Sequence, residues 1–265
     1  MAKSKKLPIQ LRLDDARRPK GIGGWRPGAG RPRGRKTITH DARPDFAARY
    51  PQHVTWRLVE GVKSLRRDHV MTVIRQAIRE SHKPTFRVVE FSIQSNHLHF
   101  IVEAIGKTGL ANGFRGLGRR LVRRLNARFE RAGTLVASRY HARTLRTPRE
   151  VRNALRYVLL NARHHAGNRK LDRYWIDPCS SGAWFTGWTR PVYGEARELA
   201  RTPKPNADAT TWLVTTGWWK QGGMLAYDEV PGSNLWQRRF SRSRGLAMTR
   251  VDSRARAARA CPIRP

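Results

Sequence analysis

Apolar and polar positions alternate most clearly in the middle of the chain, at residues 86–103. β-Branched and aromatic residues fill both halves of this stretch, and a polar run at 94–96 separates them. This pattern predicts two strands joined by a tight turn. Because successive strand side chains point to opposite faces, His97 and His99 would lie side by side on one face, with Leu98 on the other.

The remaining periodic segments complete the order strand, helix, strand, strand, helix, strand. They are a strand at 53–62, a helix that begins near Asp68, a helix at about 110–131 and a strand at 134–145. This order predicts an α+β, ferredoxin-like (RRM-like) antiparallel sheet with both helices on one face. The other face would stay open, and the apolar neighbours of the two histidines indicate that this open face carries them.

A third helix has strong signals at its start. Thr147 can serve as the cap, Pro148 stands at the first helical position and Glu150 completes a capping box. Farther along this helix, Tyr157 and Asn161 are four residues apart, so they lie on one helical face, one turn from each other. A phenol and an amide oxygen so placed could both reach one metal-bound phosphate.

The charge of the chain points to a polyanionic partner. A net charge of +35 and a pI near 11.7 would make the chain repel itself unless nucleic acid were its normal partner. The two cysteines lack any Cys-x-x-Cys spacing, and neither an apolar signal-peptide core nor a run of membrane-spanning length occurs. We therefore expect no membrane partner and a cytoplasmic, nucleoid-associated location in a bacterial cell.

Two segments are candidates for DNA contacts. In the Gly-, Pro- and Arg-rich arm at 1–42, Arg33, Gly34 and Arg35 resemble the centre of an AT-hook, which lies in the minor groove of A·T-rich DNA. A solvated basic tail would have the same composition. The helix at 110–131 carries seven arginines with hardly an acidic residue, so it is either a solvated face or a DNA-facing helix. Four of them are the predicted contacts: Arg119, Arg120, Arg123 and Arg124.

His97 and His99 allow two interpretations of their own. Two imidazoles side by side can share one divalent metal. A His-x-His pair in a strand is also commonly two partly buried, hydrogen-bonded side chains. A third ligand and a reacting group favour the metal site.

The strand motif Asn96-His97-Leu98-His99 and the helix motif at 156–161 together resemble the HUH single-tyrosine transposases, in particular the REP-associated tyrosine transposases and their insertion-sequence relatives. The resemblance covers roughly residues 47–166, which would be the catalytic domain. It implies that His97, His99 and Asn161 hold Mg²⁺ or Mn²⁺. It also implies that Tyr157 attacks single-stranded, hairpin-associated or palindromic-end DNA and forms a 5′-phosphotyrosine. Many relatives have Pro after the helix Asn, whereas this chain has Ala162.

Alternatives remain at this stage. The chain could be a non-catalytic nucleic-acid-binding protein on the same sheet, or a metal phosphohydrolase that uses water without a covalent step. The Trp-rich extension and basic tail at 167–265 could form an aromatic core against the catalytic domain or present base-stacking platforms. The protein could be a monomer or a homodimer.

Overall fold

The computed structural model describes residues 43–166 and 171–229. The sheet contains four strands, with three longer helices between and after them. In chain order these elements are β1 (Gln52–Arg57), α1 (Asp68–Arg79), β2 (Phe86–Ile93), β3 (His97–Ala104), α2 (Gly106–Phe129), β4 (His141–Thr144) and α3 (Pro148–His165). The order strand, helix, strand, strand, helix, strand is therefore confirmed.

The four strands form one antiparallel sheet in the order β4-β1-β3-β2. This is the strand order of a ferredoxin-like sheet, so the predicted α+β fold class is confirmed. One face of the sheet is apolar. Trp56 and Phe100 pack against Phe114 of α2, with ring centroids 5.5 and 5.7 Å apart, and α1 packs beside α2.

Helix α2 begins at Gly106, four residues earlier than its periodicity predicts. Two glycines inside this helix allow it to lie close to the sheet. A Cβ at Gly113 would come within 2.1 Å of the Phe86 ring, and one at Gly118 within 2.7 Å of the Trp56 ring. These glycines are packing positions rather than helix ends.

Two neighbouring strands, β1 and β4, are shorter than predicted. β1 ends at Arg57 rather than at 62, and β4 covers only His141–Thr144 of the predicted 134–145. Beyond Arg57 the two chain segments pair through an isolated bridge between Leu58 and Val136. Continuous pairing is therefore lost where the chain turns toward Gly61, whose φ is +80°.

The second face of the sheet is covered, so the expectation of an open face was wrong. Helix α3 lies across it and contacts β2 and β3. The cap of this helix is as predicted, because the Thr147 side chain and Glu150 form a reciprocal capping box with Pro148 in the first turn. Capping was predictable since it depends on residues three apart in sequence.

Residues 171–229 pack against the same face and along the edge of β2. The N–H of Ile93 donates to the carbonyl of Cys179 at 2.8 Å, and the N–H of Ala207 donates to that of Val88 at 2.8 Å. An edge strand with open backbone groups is thereby paired. The segment contains a short 3-10 helix (Ser181–Trp184), α4 (Gly194–Ala200), a π-helical turn (Leu213–Gly217) and α5 (Trp218–Lys220).

The described tryptophans of this extension differ in burial, and Trp175 is half-buried. Trp184, Trp188 and Trp218 are buried, as the aromatic-core interpretation predicts, whereas Trp212 and Trp219 are exposed. Arg152 of α3 binds Glu229 and the carbonyl of Gly222, which joins the extension to that helix. Within the described ranges, no helix is long and apolar enough to span a membrane.

Candidate active site

His97 and His99 lie side by side on the face of the sheet that α3 covers. Their ring centroids are 4.8 Å apart and the rings are nearly perpendicular, at 89°. His99 is buried, whereas His97 is partly exposed. The alternation of the strand places them there, because Leu98 between them faces the apolar core.

Each imidazole is oriented through its Nδ1 atom. The β1–β3 register places Thr55 opposite His99, and Thr55 Oγ1 lies 3.1 Å from His99 Nδ1. His97 Nδ1 lies 2.8 Å from Asn96 Oδ1. A carbonyl oxygen can only accept, so His97 Nδ1 carries the proton and its Nε2 lone pair is available to a ligand.

Both histidines are uncharged near neutral pH. Burial lowers the pKa of His99 to about 3, with further contributions from the neighbouring His97 and His53. Burial also lowers the pKa of His97, and the charge of Arg57 adds to this effect. Neutral imidazoles are the form that binds metals.

Tyr157 of α3 reaches this pair of histidines. Its ring centroid lies 5.1 Å from that of His99, edge to face at 88°. Its side chain is partly exposed, so substrate can approach it. The helix that the sequence predicted therefore does bring the phenol against the predicted His97/His99 face.

Asn161 follows Tyr157 by one helical turn and is completely buried. One turn farther on, His165 lies close enough for its charge to lower the pKa of both His97 and His99. Asn161 is thus on a helical face whose neighbours on either side interact with the histidine pair. Among the described residues, neither Oδ1 nor Nδ2 of Asn161 has a hydrogen-bond partner, and the same holds for His99 Nε2.

His53 is a further member of this cluster that sequence reasoning missed. Its ring stacks on His99 with centroids 5.7 Å apart and meets the Tyr157 ring at 5.6 Å. Burial lowers the pKa of His53 to about 4. The odd-numbered positions of β1 face the same way as the histidines of β3, but this follows only from the β1–β3 register.

These side chains are suited to a divalent ion with nitrogen and oxygen ligands. In the part of the chain that the structure describes, no three His, Cys, Asp or Glu side chains are arranged as a metal site. A third protein ligand would therefore be of another type, such as an amide oxygen. His97 and His99 offer imidazole nitrogens, and the unbonded amide oxygen of Asn161 is a ligand type that hard ions accept.

Comparisons with known proteins assign no family to this chain. No protein-family model and no curated protein matches it. A solved structure of a REP-associated tyrosine transposase bound to a REP hairpin is similar, at 16% identity and a TM-score of 0.45. The match covers 65% of this chain and 93% of that one. A likeness at this level does not transfer an activity.

Three other tyrosines lie away from the histidine pair. Tyr140 is buried on the apolar face, with its ring centroid 4.3 Å from that of Phe114. Tyr174 and Tyr193 pair with each other in the extension, at 5.7 Å. Tyr157 is the tyrosine whose ring packs against the predicted metal ligands.

The predicted DNA-binding arginines of α2 lie on the opposite side of the sheet from Tyr157. Arg124 binds Glu80 of the segment after α1 at 2.7 Å, and Arg120 approaches the same carboxylate at 3.5 Å. Arg119 and Arg123 are exposed. The acidic partner comes from the segment after α1, 44 residues before Arg124 in the chain, so local sequence did not reveal it.

The AT-hook-like residues Arg33, Gly34 and Arg35 lie outside the described residues, and their DNA contacts remain predictions.

Proposed function

We propose that this protein is a transposase that cleaves and rejoins single-stranded, hairpin-associated DNA through a phosphotyrosine at Tyr157. The packing of the Tyr157 ring against His99 is the observation that carries this proposal. It combines a nucleophile with two oriented, neutral imidazoles and a buried, unbonded amide one helical turn away. Such a combination is typical of a site that handles a phosphodiester with a divalent ion.

Tyr157 would perform the bond exchange. Its phenol oxygen forms a bond to phosphorus, and the bond from phosphorus to the 3′-oxygen of the preceding nucleotide breaks. The phenol proton passes through solvent to that 3′-oxygen. The product is a 5′-phosphotyrosine and a free 3′-hydroxyl, and attack by a 3′-hydroxyl reverses the step and rejoins the strand.

His97, His99 and Asn161 would hold Mg²⁺ or Mn²⁺. When bound, the ion would neutralise charge on the scissile phosphate and align it for attack. Thr55 and Asn96 keep the two imidazoles in their orientations through Nδ1. Burial of His99 keeps it unprotonated, so it would not repel a cation.

The charge of the chain supports DNA as the substrate. The chain has 54 Lys and Arg against 19 Asp and Glu. Arg119 and Arg123 would hold phosphates on the far side of the sheet from Tyr157, which requires DNA long enough to pass around the edge. An imperfect hairpin with single-stranded flanks can supply both a strand at Tyr157 and phosphates at Arg119 and Arg123.

The proposal is tested by strand cleavage of oligonucleotides that contain candidate hairpins, with Mn²⁺ or with EDTA. Wild-type protein should cleave only with the ion. His97→Ala and His99→Ala should fall to the level seen in EDTA, while the matched control His69→Ala, at an exposed position of α1, should cleave normally. Undiminished cleavage in EDTA would refute the metal site.

A further inference from the structure

A cavity of about 280 Å³ lies between β2 and the extension, outside the candidate active site. Its walls include three aromatic side chains, and its polar groups are a buried carboxyl, an amine that is ion-paired with a second, exposed carboxyl, and two hydroxyls. The residues that line the cavity include Glu90, Trp184, Phe185, Lys204, Thr215 and Trp218. The volume is close to the lower end of the range found for small-molecule sites.

The buried carboxyl of this cavity belongs to Glu90, and the proposed reaction does not use it. It follows a register shift in β2, and its partner across the sheet is Ile101. Glu90 therefore lies on the same face as His99, about 7 Å farther along the strand direction. Glu90 is only 6% exposed, and burial raises the pKa of its carboxyl to about 8.

Glu90 is held in place by one hydrogen bond. Its Oε2 accepts a hydrogen bond from Ser181 Oγ at 2.5 Å, and Ser181 Oγ in turn accepts one from the N–H of Phe91 at 2.9 Å. When Glu90 is ionised, its Oε1 is a further acceptor. Ser181 is the sole described residue that is hydrogen-bonded to this side chain.

A second buried carboxylate on the same face shows what a purely structural one looks like here. Glu103 accepts hydrogen bonds from the backbone and hydroxyl groups of Thr210 and Thr211, at 2.8 to 3.1 Å. Both of its oxygens are used. Glu90 differs from Glu103, because no described residue donates a hydrogen bond to its Oε1. This oxygen is therefore available to a hydrogen-bond donor of a ligand in the cavity.

The aromatic walls favour a flat ligand. The rings of Phe185 and Trp218 have centroids 5.6 Å apart. Gly187 makes this approach possible, because a Cβ there would lie 2.4 Å from the Phe185 ring and 2.6 Å from the Trp218 ring. Trp184 lines the cavity as well, and stacking on such side chains is a general way of holding nucleobases.

We propose that this cavity binds a nucleobase with an exocyclic amino group, which donates a hydrogen bond to Glu90 Oε1. Adenine, cytosine and guanine have such a donor, whereas thymine presents a carbonyl oxygen in the equivalent place. Lys204 at the cavity wall is ion-paired with Asp208, whereas the hydroxyl of the exposed Thr215 is suited to the sugar of the same nucleotide. The base could belong to a DNA strand or to a free nucleotide.

The first experiment uses the full chain and titrates it with deoxyadenosine, deoxycytidine or thymidine by calorimetry. The wild type should bind the two amino-bearing nucleosides about tenfold more tightly than thymidine. Glu90→Leu should remove this preference, and Thr215→Phe should weaken all three by narrowing the cavity. Glu198→Gln, at an exposed position of α4, is the matched control and should keep the wild-type order.

Melting temperatures establish that each variant folds. If Glu90→Leu does not fold, Thr215→Phe is the variant that tests binding in the cavity. Equal binding of thymidine by the wild type, an unchanged preference in Glu90→Leu, or no nucleoside binding would overturn the proposal. None of these readouts requires DNA cleavage, so they fail or succeed independently of the Tyr157 chemistry.

The second experiment distinguishes the source of the base. Thymidine oligomers with and without one deoxyadenosine are compared by fluorescence anisotropy. Tighter binding of the substituted oligomer, lost in Glu90→Leu, supports a base within a strand. A preference seen with nucleosides but not with oligomers supports a free nucleotide. Both results support the proposed base site, and a substituted oligomer preferred equally by Glu90→Leu contradicts it.

Discussion

The two faces of the sheet are both buried, but they are buried in different ways. On one face Trp56, Leu98 and Phe100 pack against α2 through aromatic and aliphatic contacts. On the other face, the same strands present His53 and His99 to α3. There, three buried groups have no hydrogen-bond partner among the described residues: Nε2 of each of these histidines and the amide of Asn161.

The apolar face therefore stabilises the fold, whereas the polar face leaves groups available to a ligand. An unbonded buried polar group costs about 1–3 kcal/mol, and native proteins contain few of them. Several such groups around one tyrosine indicate that the face is complete only with something bound. Substitutions on the apolar face should therefore lower stability. Replacing an unbonded polar group on the other face should raise stability and abolish cleavage.

The largest effect on stability should come from the apolar face. Phe114 contacts Trp56, Phe86, Phe100 and Tyr140, with ring centroids 4.3 to 5.7 Å away. Phe114→Ala should lower the free energy of unfolding by about 3–5 kcal/mol in urea titrations. The exposed Ile105→Ala should change it by less than about 0.5 kcal/mol. A small loss in Phe114→Ala would show that α2 is not essential to the core.

The next largest effect is a pH dependence of the unfolding free energy, which arises from Glu90 on the polar face. Glu90 has a pKa of about 8 when folded against an ordinary 4.5. Between these values the folded state binds more protons than the unfolded state, so stability falls as pH rises. The slope is at most about 1.4 kcal/mol per pH unit. The difference in unfolding free energy between wild type and Glu90→Gln should follow this fall, and a pH-independent difference would contradict it.

A smaller effect, of opposite sign, is expected at Asn161. Leucine has a similar volume and leaves no polar atom unbonded, so Asn161→Leu should raise the unfolding free energy by about 1 kcal/mol. The same substitution should abolish cleavage. Asn112→Leu, at an exposed position of α2, should alter neither. A destabilised Asn161→Leu protein would mean that the amide is already satisfied.

The smallest effect concerns the arginines behind the apolar face. Replacing Arg119 and Arg123 by Gln should reduce the slope of log affinity for DNA against log salt by about 2, one for each phosphate contact. Arg120 and Arg124 already pair with Glu80, so the same change there should reduce the slope less. Equal slopes in the two double variants would show that the pairing does not matter.

The features that were predictable from sequence depend on local spacing. The turn at 94–96, the His97/His99 alternation and the Thr147–Glu150 cap each involve residues a few positions apart. The strand order also followed, because few topologies accommodate that sequence of elements. The Tyr157–Asn161 pair was found in this way and lies where the helix spacing predicted.

The features that were not predictable depend on long-range pairing. His53 joins the site only through the register of β1 with β3. The pairing of Arg124 with Glu80 joins residues 44 positions apart, and that of Glu90 with Ser181 joins residues 91 apart. The covering of the second face by α3 and the extension likewise requires the folded chain, since the sheet pattern alone is compatible with an open face.

The central claim is that Tyr157 becomes joined to DNA. Hairpin oligonucleotides incubated with the protein and Mn²⁺ are separated by denaturing electrophoresis, and the linked peptide is mapped by mass spectrometry. We predict a covalent band that maps to Tyr157, disappears in Tyr157→Phe and persists in the exposed control Tyr193→Phe, while Tyr157→Phe still binds DNA. Normal cleavage by Tyr157→Phe, or an adduct on another tyrosine, would contradict it.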